Sequence, residues 1–465
     1  MRLSHKYLIS FKGAQPATRY EVASVVARAL AKVDAEKASK QDLEMLKKLV
    51  MEFKDELDAL GVKVDKLDKR VAVLEDNLGG WKLTGSFRFD ARFGGGDREN
   101  AFIRDTTGQN KNSFSVERWR FNLTKQIDEN TSFRAEYRSG QDTNNGYLAG
   151  DPLRANNGNG WGDNNGTWYR VYVDTKLPYD INFRVGRFTY DWEADAGLYT
   201  DNDALFGDIT VDGFQFNKAW GTFAFTAVVG RNLDQAWSGN DESAMNYAAN
   251  LGWTPNEKFF GGLMYYAYKF DDSANNFAAT NGDLTNWGIY AGFNFTPSVA
   301  LKGAYYKQSL DWLNVNDDPA AWKAILDVKQ DLLKFTDLWI EYGQQDNTFL
   351  GIGSRYRLIH GGDHIFNRGA VARALAGNGT TKFLFVRAGQ KWNDKWSTQL
   401  RYAQADFDTD NMDTAKSYSF AVDYQYTPAI QFELGYDHVD HGNTRGAVDK
   451  DETNHVVFFR TNVSF

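Results

Sequence analysis

Two hydrophobic periods divide the chain at Gly79 and Gly80, and they predict two kinds of structure. Before the glycines, apolar residues recur in alternating steps of three and four positions from Leu43 to Leu78. From Trp81 onward they recur at every second position instead. A 3.5-residue period is typical of coiled-coil helices, and a two-residue period is typical of β-strands with unlike faces. The glycines are therefore expected to join a helical region to a β-structured one.

The region after the glycines is predicted to form membrane-length β-strands. Along 81–93, aromatic and small residues share one face, while charged and hydroxyl residues share the other. Similar segments of about 10–13 residues follow, the length of a tilted strand that crosses a bilayer. Tight connections such as 254–257 alternate with long connections rich in Gly, Asn and Asp, such as 141–166. We therefore predict a mainly β fold, a transmembrane antiparallel β-barrel over 81–465 with about eighteen strands or, alternatively, about sixteen.

The last segment of the chain, HVVFFRTNVSF, carries a second membrane signal. Its alternating residues place Val457, Phe459, Val463 and Phe465 on one face, and the chain ends on the aromatic Phe465. This resembles the C-terminal signal by which barrel-assembly machinery recognises outer-membrane proteins, and the resemblance implies that machinery as a partner in biogenesis. The alternative is an ordinary edge strand.

Composition and charge exclude several classes of function. The formal net charge is −8, which argues against a nucleic-acid partner. The chain has no cysteine, so thiolate chemistry and Cys-ligated metals are excluded. The pairs His360/His364 and His438/His441 fall in or beside predicted external loops, without the helical spacing of a zinc site. No motif pairs a nucleophile with a base, so we predict no enzyme, no catalytic residue, no cofactor and no metal.

A basic wall and an acidic connection are predicted to face each other across the lumen. The inward face of the first strands carries a series of arginines: Arg88, Arg118, Arg120, Arg134, Arg138, Arg170 and Arg184. The connection after the fifth strand carries Asp191, Glu193 and Asp195. In trimeric general porins the third long loop folds inward and opposes acids to a basic wall, and the same arrangement here would screen hydrophilic solutes by size and charge. Alternatively, the loop acids are solvated and the arginines pair with neighbouring acids.

The heptad region before the glycines predicts a stalk over 39–78. Its apolar seam includes Val64, Leu67, Val71 and Leu74, and its flanks are mostly Lys, Asp and Glu. A single helix would leave such a seam in water, so the stalk is expected to oligomerise. Valine alternating with leucine is compatible with two strands, whereas the stretch RVAVLE resembles a pattern that favours trimers. The alternative is a helix that packs within its own chain.

The first 38 residues are predicted to contain part of a cell-wall-binding domain. Thr18 and Glu21 have the spacing of a helix capping box. The stretch FKGAQPATRYE resembles the second half of an S-layer homology (SLH) domain, a family that binds cell-wall polymers, and the resemblance implies wall binding by Arg19 and Glu21. The first half of that domain is absent, so we expect a signal peptide and a first helix upstream of Met1. The alternative role for both residues is a plain helix cap.

Taken in order, these regions resemble the OmpM-type porins, which are SLH-bearing outer-membrane proteins of diderm Firmicutes. The resemblance implies a homotrimer embedded in outer-membrane lipid, with a periplasmic stalk that binds peptidoglycan or a secondary cell-wall polymer. The expected function is diffusion of small hydrophilic solutes together with tethering of the membrane. The alternatives are a structural anchor with a plugged barrel and a substrate-specific barrel transporter.

Overall fold

A computed structural model describes most of the β-structured region and part of the N-terminal region. The described residues are 19, 22–26, 45, 48–55, 79–97, 112–139, 167–200, 205, 208–234, 242–270, 283–312, 315–333, 336–349, 351, 356, 358–359, 379–408, 414–440, 442 and 453–465. The chain divides into two compact units, Met1–Lys82 and Leu83–Phe465. No helix in these ranges is long and apolar enough to cross a membrane.

Antiparallel strands make up most of the described part of the second unit. In chain order they are β1 (Trp81–Gly96), β2 (Asn112–Gln126), β3 (Thr131–Ser139), β4 (Thr167–Leu177), β5 (Ile181–Asp191), β6 (Asp208–Trp220), β7 (Phe223–Asp234), β8 (Glu242–Trp253), β9 (Phe259–Phe270), β10 (Leu284–Thr296), β11 (Val299–Trp312), β12 (Val315–Asp317), β13 (Ala320–Val328), β14 (Asp337–Asp346), β15 (Thr380–Lys391), β16 (Trp396–Asp408), β17 (Ala415–Thr427), β18 (Ile430–Asp440) and β19 (Thr453–Ser464). A 3₁₀ turn at Pro178–Asp180 and a short helix at Gln330–Leu333 lie in two of the connections.

The strands close into a barrel. Each strand pairs with the next along the chain, and β1 pairs with both β2 and β19. The closing register places Arg88 opposite Asn462. The three-residue β12 pairs with the end of β11, and β13 continues that pairing after Pro319, which has no N–H for a ladder bond. Counting β12 and β13 as one interrupted strand, the described residues form eighteen strands, which confirms the predicted β-barrel and the larger strand number.

The two faces of the sheet differ in polarity as the alternation predicts. Large apolar side chains stand exposed on the outside, among them Leu83, Leu263, Trp287, Phe420 and Leu434. Exposed aromatic residues gather where strands meet tight turns, as at Trp220 and Phe223 around Gly221, whose φ of 56° suits a two-residue turn. The buried residues form one large cluster that includes Trp192, Tyr306 and Tyr356. The core therefore lies inside the barrel, where two connections fold inward.

The N-terminal unit contains two short helical segments in its described part. Ala23 and Val26 on one segment pack against Val50 and Phe53 on the other. The guanidinium of Arg19 donates to the Glu52 carbonyl oxygen at 2.8 Å and lies 5.1 Å from the centre of the Phe53 ring.

This packing differs from the predicted coiled coil at its start, because Val50 and Phe53 belong to the heptad seam and bury against their own chain. No coiled coil is evident among the described residues. The seam positions Val64, Leu67, Val71 and Leu74 lie outside those ranges, as does Glu21. The stalk and the SLH head therefore stay predictions.

Candidate pore constriction

The connection after β5 folds into the barrel and docks on the opposite wall. We call residues 192–198 the constriction segment. The Glu193 carboxylate accepts hydrogen bonds from Tyr306 Oη on β11 and Lys323 Nζ on β13, each at 2.6 Å. Lys323 Nζ also donates to the Leu198 carbonyl oxygen at 2.9 Å. Since both ends of the segment reach the same amine, Lys323 fixes its position in the lumen.

Two further contacts hold the segment inside the barrel, one with β11 and one with β7. Lys302 Nζ on β11 donates to the Gly197 carbonyl oxygen at 2.8 Å. Thr226 Oγ1 on β7 donates to Asp195 Oδ2 at 3.2 Å. Lys302 and Thr226 are each the fourth residue of a strand that leaves a tight turn, so the segment descends far into the barrel.

The local sequence explains why the connection turns inward. Trp192 is fully buried, donates through Nε1 to the Tyr265 carbonyl oxygen at 3.2 Å, and its ring centre lies 5.5 Å from that of Tyr306. The tight turns that follow use small residues, with Ala194 N donating to Asp191 O at 3.2 Å and Gly197 at a φ of 67°. The buried indole has a hydrogen-bond acceptor for its N–H, so its burial contributes a large hydrophobic stabilisation. Trp192 therefore anchors the segment.

Burial also changes the acidity of the segment. Loss of solvent raises the pKa of Glu193 above its ordinary 4.5, although the charge of Lys323 opposes that change. Partial loss of solvent raises the pKa of Asp195 above its ordinary 3.8, against the hydrogen bond from Thr226. Glu193 is therefore not a solvated loop acid, whereas the Asp195 side chain is exposed.

The connection after β14 also packs inside the barrel. Tyr356 Oη donates to Glu341 Oε1 at 2.7 Å, and the Tyr356 ring centre lies 4.9 Å from that of Phe385. The Ile359 carbonyl oxygen accepts from Arg460 Nη1 at 3.2 Å. Lys323 Nζ lies 3.3 Å from Glu341 Oε1, so the same amine joins this connection to the constriction segment.

Arginines occupy the wall formed by β2–β5. Three guanidinium groups surround the single carboxylate of Glu136, which is 3% exposed: Arg138 Nε donates to it, Arg170 Nη1 lies 3.4 Å away, and Arg120 Nε lies 3.8 Å away. Arg184 makes two hydrogen bonds with the Asp174 carboxylate, at 2.7 and 3.0 Å, and lies over the Tyr172 ring. The alternative pairing of wall arginines with Glu136 and Asp174 is therefore present.

The remaining predicted residues take different positions. Arg134 on β3 is exposed, and Arg118 on β2 is half-buried. Arg88 donates through Nε to Asn462 Oδ1 at 3.0 Å. Asp191 ends β5 and accepts the first turn hydrogen bond of the constriction segment.

Glu193 differs from the sequence expectation, because it is buried against β11 and β13 and does not oppose the arginine wall. The physical reason is Lys323, whose fully buried amine needs a counter-charge that Glu193 supplies. Asp195 is exposed and accepts a hydrogen bond from Thr226 on β7.

Sequence reasoning missed the residues that hold the two inward connections, chiefly Lys302, Tyr306, Lys323, Glu341 and Tyr356. The sequence contained a signal for two of these residues. Lys302 and Lys323 interrupt apolar or small neighbours on inward positions of their strands, and a charge placed there needs a partner inside the barrel. The identity of the partner depends on how a distant connection folds, which alternation does not encode.

Solved structures of outer-membrane proteins are similar to this chain at low sequence identity. No protein-family model matches the chain, and no curated protein is similar to it in sequence. Pseudomonas aeruginosa OccK11 is 8% identical, with 83% of this chain and 97% of that chain covered and a TM-score of 0.49. The outer membrane channel DcaP of Acinetobacter baumannii is 10% identical, with coverages of 83% and 97% and a TM-score of 0.44. An anion-selective porin from Comamonas acidovorans is 10% identical, with coverages of 83% and 99% and a TM-score of 0.43.

Proposed function

We propose that this chain is an outer-membrane porin through which small hydrophilic solutes diffuse. The observation that carries the proposal is solvent exposure on the inside of the closed barrel. The side chains of Arg120 and Arg170 are 22% and 28% exposed on the wall away from the constriction segment. Lys323 and Glu193 on the other side are fully buried. A barrel plugged throughout would bury both walls, so the difference supports a water-filled path along β2–β4.

The outer surface supports placement in a lipid membrane. It exposes many large aromatic and aliphatic side chains, and the ends of the strands at tight turns carry aromatic residues such as Trp220, Trp253 and Phe259. A band of this kind matches the hydrocarbon layer of a bilayer and its interfaces. We therefore propose outer-membrane lipid as the surrounding medium and barrel-assembly machinery as the partner in biogenesis. We also propose that the protein only transports solutes and catalyses no reaction.

The N-terminal region supports a finer proposal of a homotrimer tethered to the cell wall. The heptad seam up to Leu78 favours a three-stranded periplasmic stalk, and the SLH-like stretch around Arg19 favours binding to peptidoglycan or a secondary cell-wall polymer. The packing of Arg19 on Phe53 supports a compact head made from one chain.

Reconstitution into lipid distinguishes a porin from a structural anchor and from a substrate-specific transporter. The purified full chain, added to a planar lipid bilayer, is expected to give discrete steps of ionic current, and proteoliposomes are expected to admit small sugars at rates linear in concentration. A folded barrel that gives no current would leave the structural anchor as the explanation. Saturable sugar flux would instead support a substrate-specific transporter.

A further inference from the structure

We propose that four arginines on β2–β4 form an anion-binding site in the pore and make the channel prefer anions. We call Arg120, Arg134, Arg138 and Arg170 the arginine cluster. The ligand class is small anions with carboxylate or phosphate groups, together with chloride. The inference rests on the proposed channel function, since an anion in transit must have a path past the cluster.

The strand registers bring the cluster together on one face. Arg120 on β2 lies directly opposite Arg138 on β3, and Glu136 lies opposite Arg170 on β4. Arg134 is two residues from Glu136 along β3, so it shares the same inward face. The outward face of these strands is marked by the contact between Tyr137 and the exposed Trp168.

Positive charge exceeds negative charge within the cluster. Glu136 neutralises at most one unit, so Arg138 and Arg170 alone leave a surplus of one positive charge beside it. Arg134 adds another, because it is exposed and no ion pair is found for it in the described part of the chain. Glu193 on the constriction segment does not offset this surplus, because its carboxylate is fully buried against Lys323. Asp195 is exposed, and its carboxylate accepts from Thr226 on β7, outside the strands that carry the cluster.

The guanidinium groups are also held in place. The Cζ atoms of Arg138 and Arg170 lie 3.4 Å and 5.3 Å from the centre of the Tyr169 ring. A guanidinium stacked on an aromatic face keeps its N–H groups in one plane and loses less entropy when it binds. Planar forks of this kind match the two oxygens of a carboxylate or phosphate. The cluster therefore has both the charge and the geometry to bind an oxyanion.

The surplus is large enough to measure. Two unit charges about 10 Å from a permeating ion in water enrich a monovalent anion roughly fourfold. The same charges deplete a monovalent cation by a similar factor. The two factors multiply to a chloride-to-potassium ratio of roughly sixteen in the absence of screening. We therefore expect a permeability ratio clearly above one at low ionic strength, falling as salt screens the cluster.

The test measures the reversal potential of the full chain in a planar bilayer under a tenfold KCl gradient. The key variant is Arg134→Gln with Arg170→Gln, which removes two charges and leaves Glu136 paired with Arg138 and Arg120. It is expected to lose most of the chloride preference, whereas Arg134→Lys with Arg170→Lys is expected to keep most of it.

A matched control lies on the outside of the barrel. Arg187 on β5 makes two 2.7 Å hydrogen bonds with Asp212 on β6. Asp212 lies two residues from the exposed Phe214 and shares its outward face. Arg187→Gln removes one positive charge without touching the lumen, so the permeability ratio is expected to stay at the wild-type value. A change in this variant equal to that of the cluster variant would contradict a local site.

Inorganic phosphate provides a second readout that needs no substitution. Millimolar phosphate is expected to reduce chloride current through the wild-type channel in a saturable way. A wild-type channel that conducts but prefers potassium, or that prefers neither ion, overturns the anion site and leaves the porin intact. A folded wild-type barrel that conducts no ion overturns the porin and the site together.

Discussion

The amine of Lys323 lies 2.6 Å from the carboxylate of Glu193, and neither side chain is exposed to solvent. One residue is on strand β13 and the other is on a connection 130 positions earlier in the chain. Because the same amine reaches Glu341, this contact sets how far the two inward connections fill the barrel.

Replacing this amine is expected to open the channel. Lys323→Met leaves two buried carboxylates without their cation, and breaking a buried ion pair in this way costs about 3–5 kcal/mol. The constriction segment should therefore undock, raising single-channel conductance and lowering the temperature of unfolding.

The control for this variant is Lys391→Met, which removes an exposed amine paired with the exposed Asp394 and costs about 0–1 kcal/mol. Conductance and unfolding temperature that match this control would show that Lys323 does not hold the segment.

The pKa of Glu193 predicts a pH dependence of stability. Since burial raises that pKa above 4.5, the folded protein binds the proton more tightly than the unfolded chain does. The contribution of this group is thus complete below pH 4.5 and is lost as the pH rises through the higher folded value.

The measurement compares the wild type with Glu193→Gln by unfolding temperature from pH 4 to pH 8. The wild type should lose stability relative to the variant as the pH rises. Parallel curves for the two proteins would argue against a shifted Glu193.

The C-terminal residue is predicted to close the barrel as well as to direct its assembly. Gly85 N donates to the Phe465 carbonyl oxygen at 2.7 Å, and Phe465 N donates to Gly85 O at 3.0 Å. Deletion of Phe465 removes both bonds and the ring that lies beside Phe121.

We expect this deletion to reduce the folded fraction in detergent refolding, where no assembly machinery is present, measured by heat-modifiable electrophoretic mobility. Phe465→Tyr keeps both backbone bonds and should refold like the wild type. Normal refolding of the deletion with failed assembly in cells would limit Phe465 to a recognition role.

The heptad seam predicts a trimer that depends on the stalk. Leu67→Asp with Val71→Asp places charges at adjacent seam positions, which a coiled coil does not tolerate. Sedimentation of the detergent-solubilised protein should then show a monomer with an intact barrel. The control Lys66→Asp with Lys69→Asp changes polar positions beside the seam and should remain a trimer. A trimer that survives the seam substitutions would place its contacts elsewhere.

Sequence periodicity was sufficient to predict the barrel, because the alternating residues of each strand match the environments of its two faces. Phe87 and Arg88 occupy opposite faces whatever the rest of the chain does, so alternation predicts strand, face and number. Arg120, Arg138 and Arg170 could be placed on the inner wall for the same reason.

The direction of Glu193 could not be predicted, since it depends on an amine 130 residues away and on a buried tryptophan that turns the connection inward. Hydrophobic spacing likewise does not distinguish a seam that packs on a sister chain from one that packs on its own. Val50 and Phe53 illustrate this limit, because their positions fit a heptad while their contacts are with Ala23 and Val26.

The most direct test of a water-filled path beside the arginine wall uses the absence of cysteine from the chain. Arg134→Cys introduces a single thiol at the proposed path, and Leu434→Cys introduces one on the outer surface, where the wild-type leucine is 55% exposed. A bulky charged thiol reagent is added during single-channel recording of each variant. A water-filled path at Arg134 predicts that the reagent reduces the current through Arg134→Cys stepwise and leaves the current through Leu434→Cys unchanged. Full current through labelled Arg134→Cys, or a folded barrel with no current before labelling, would contradict it.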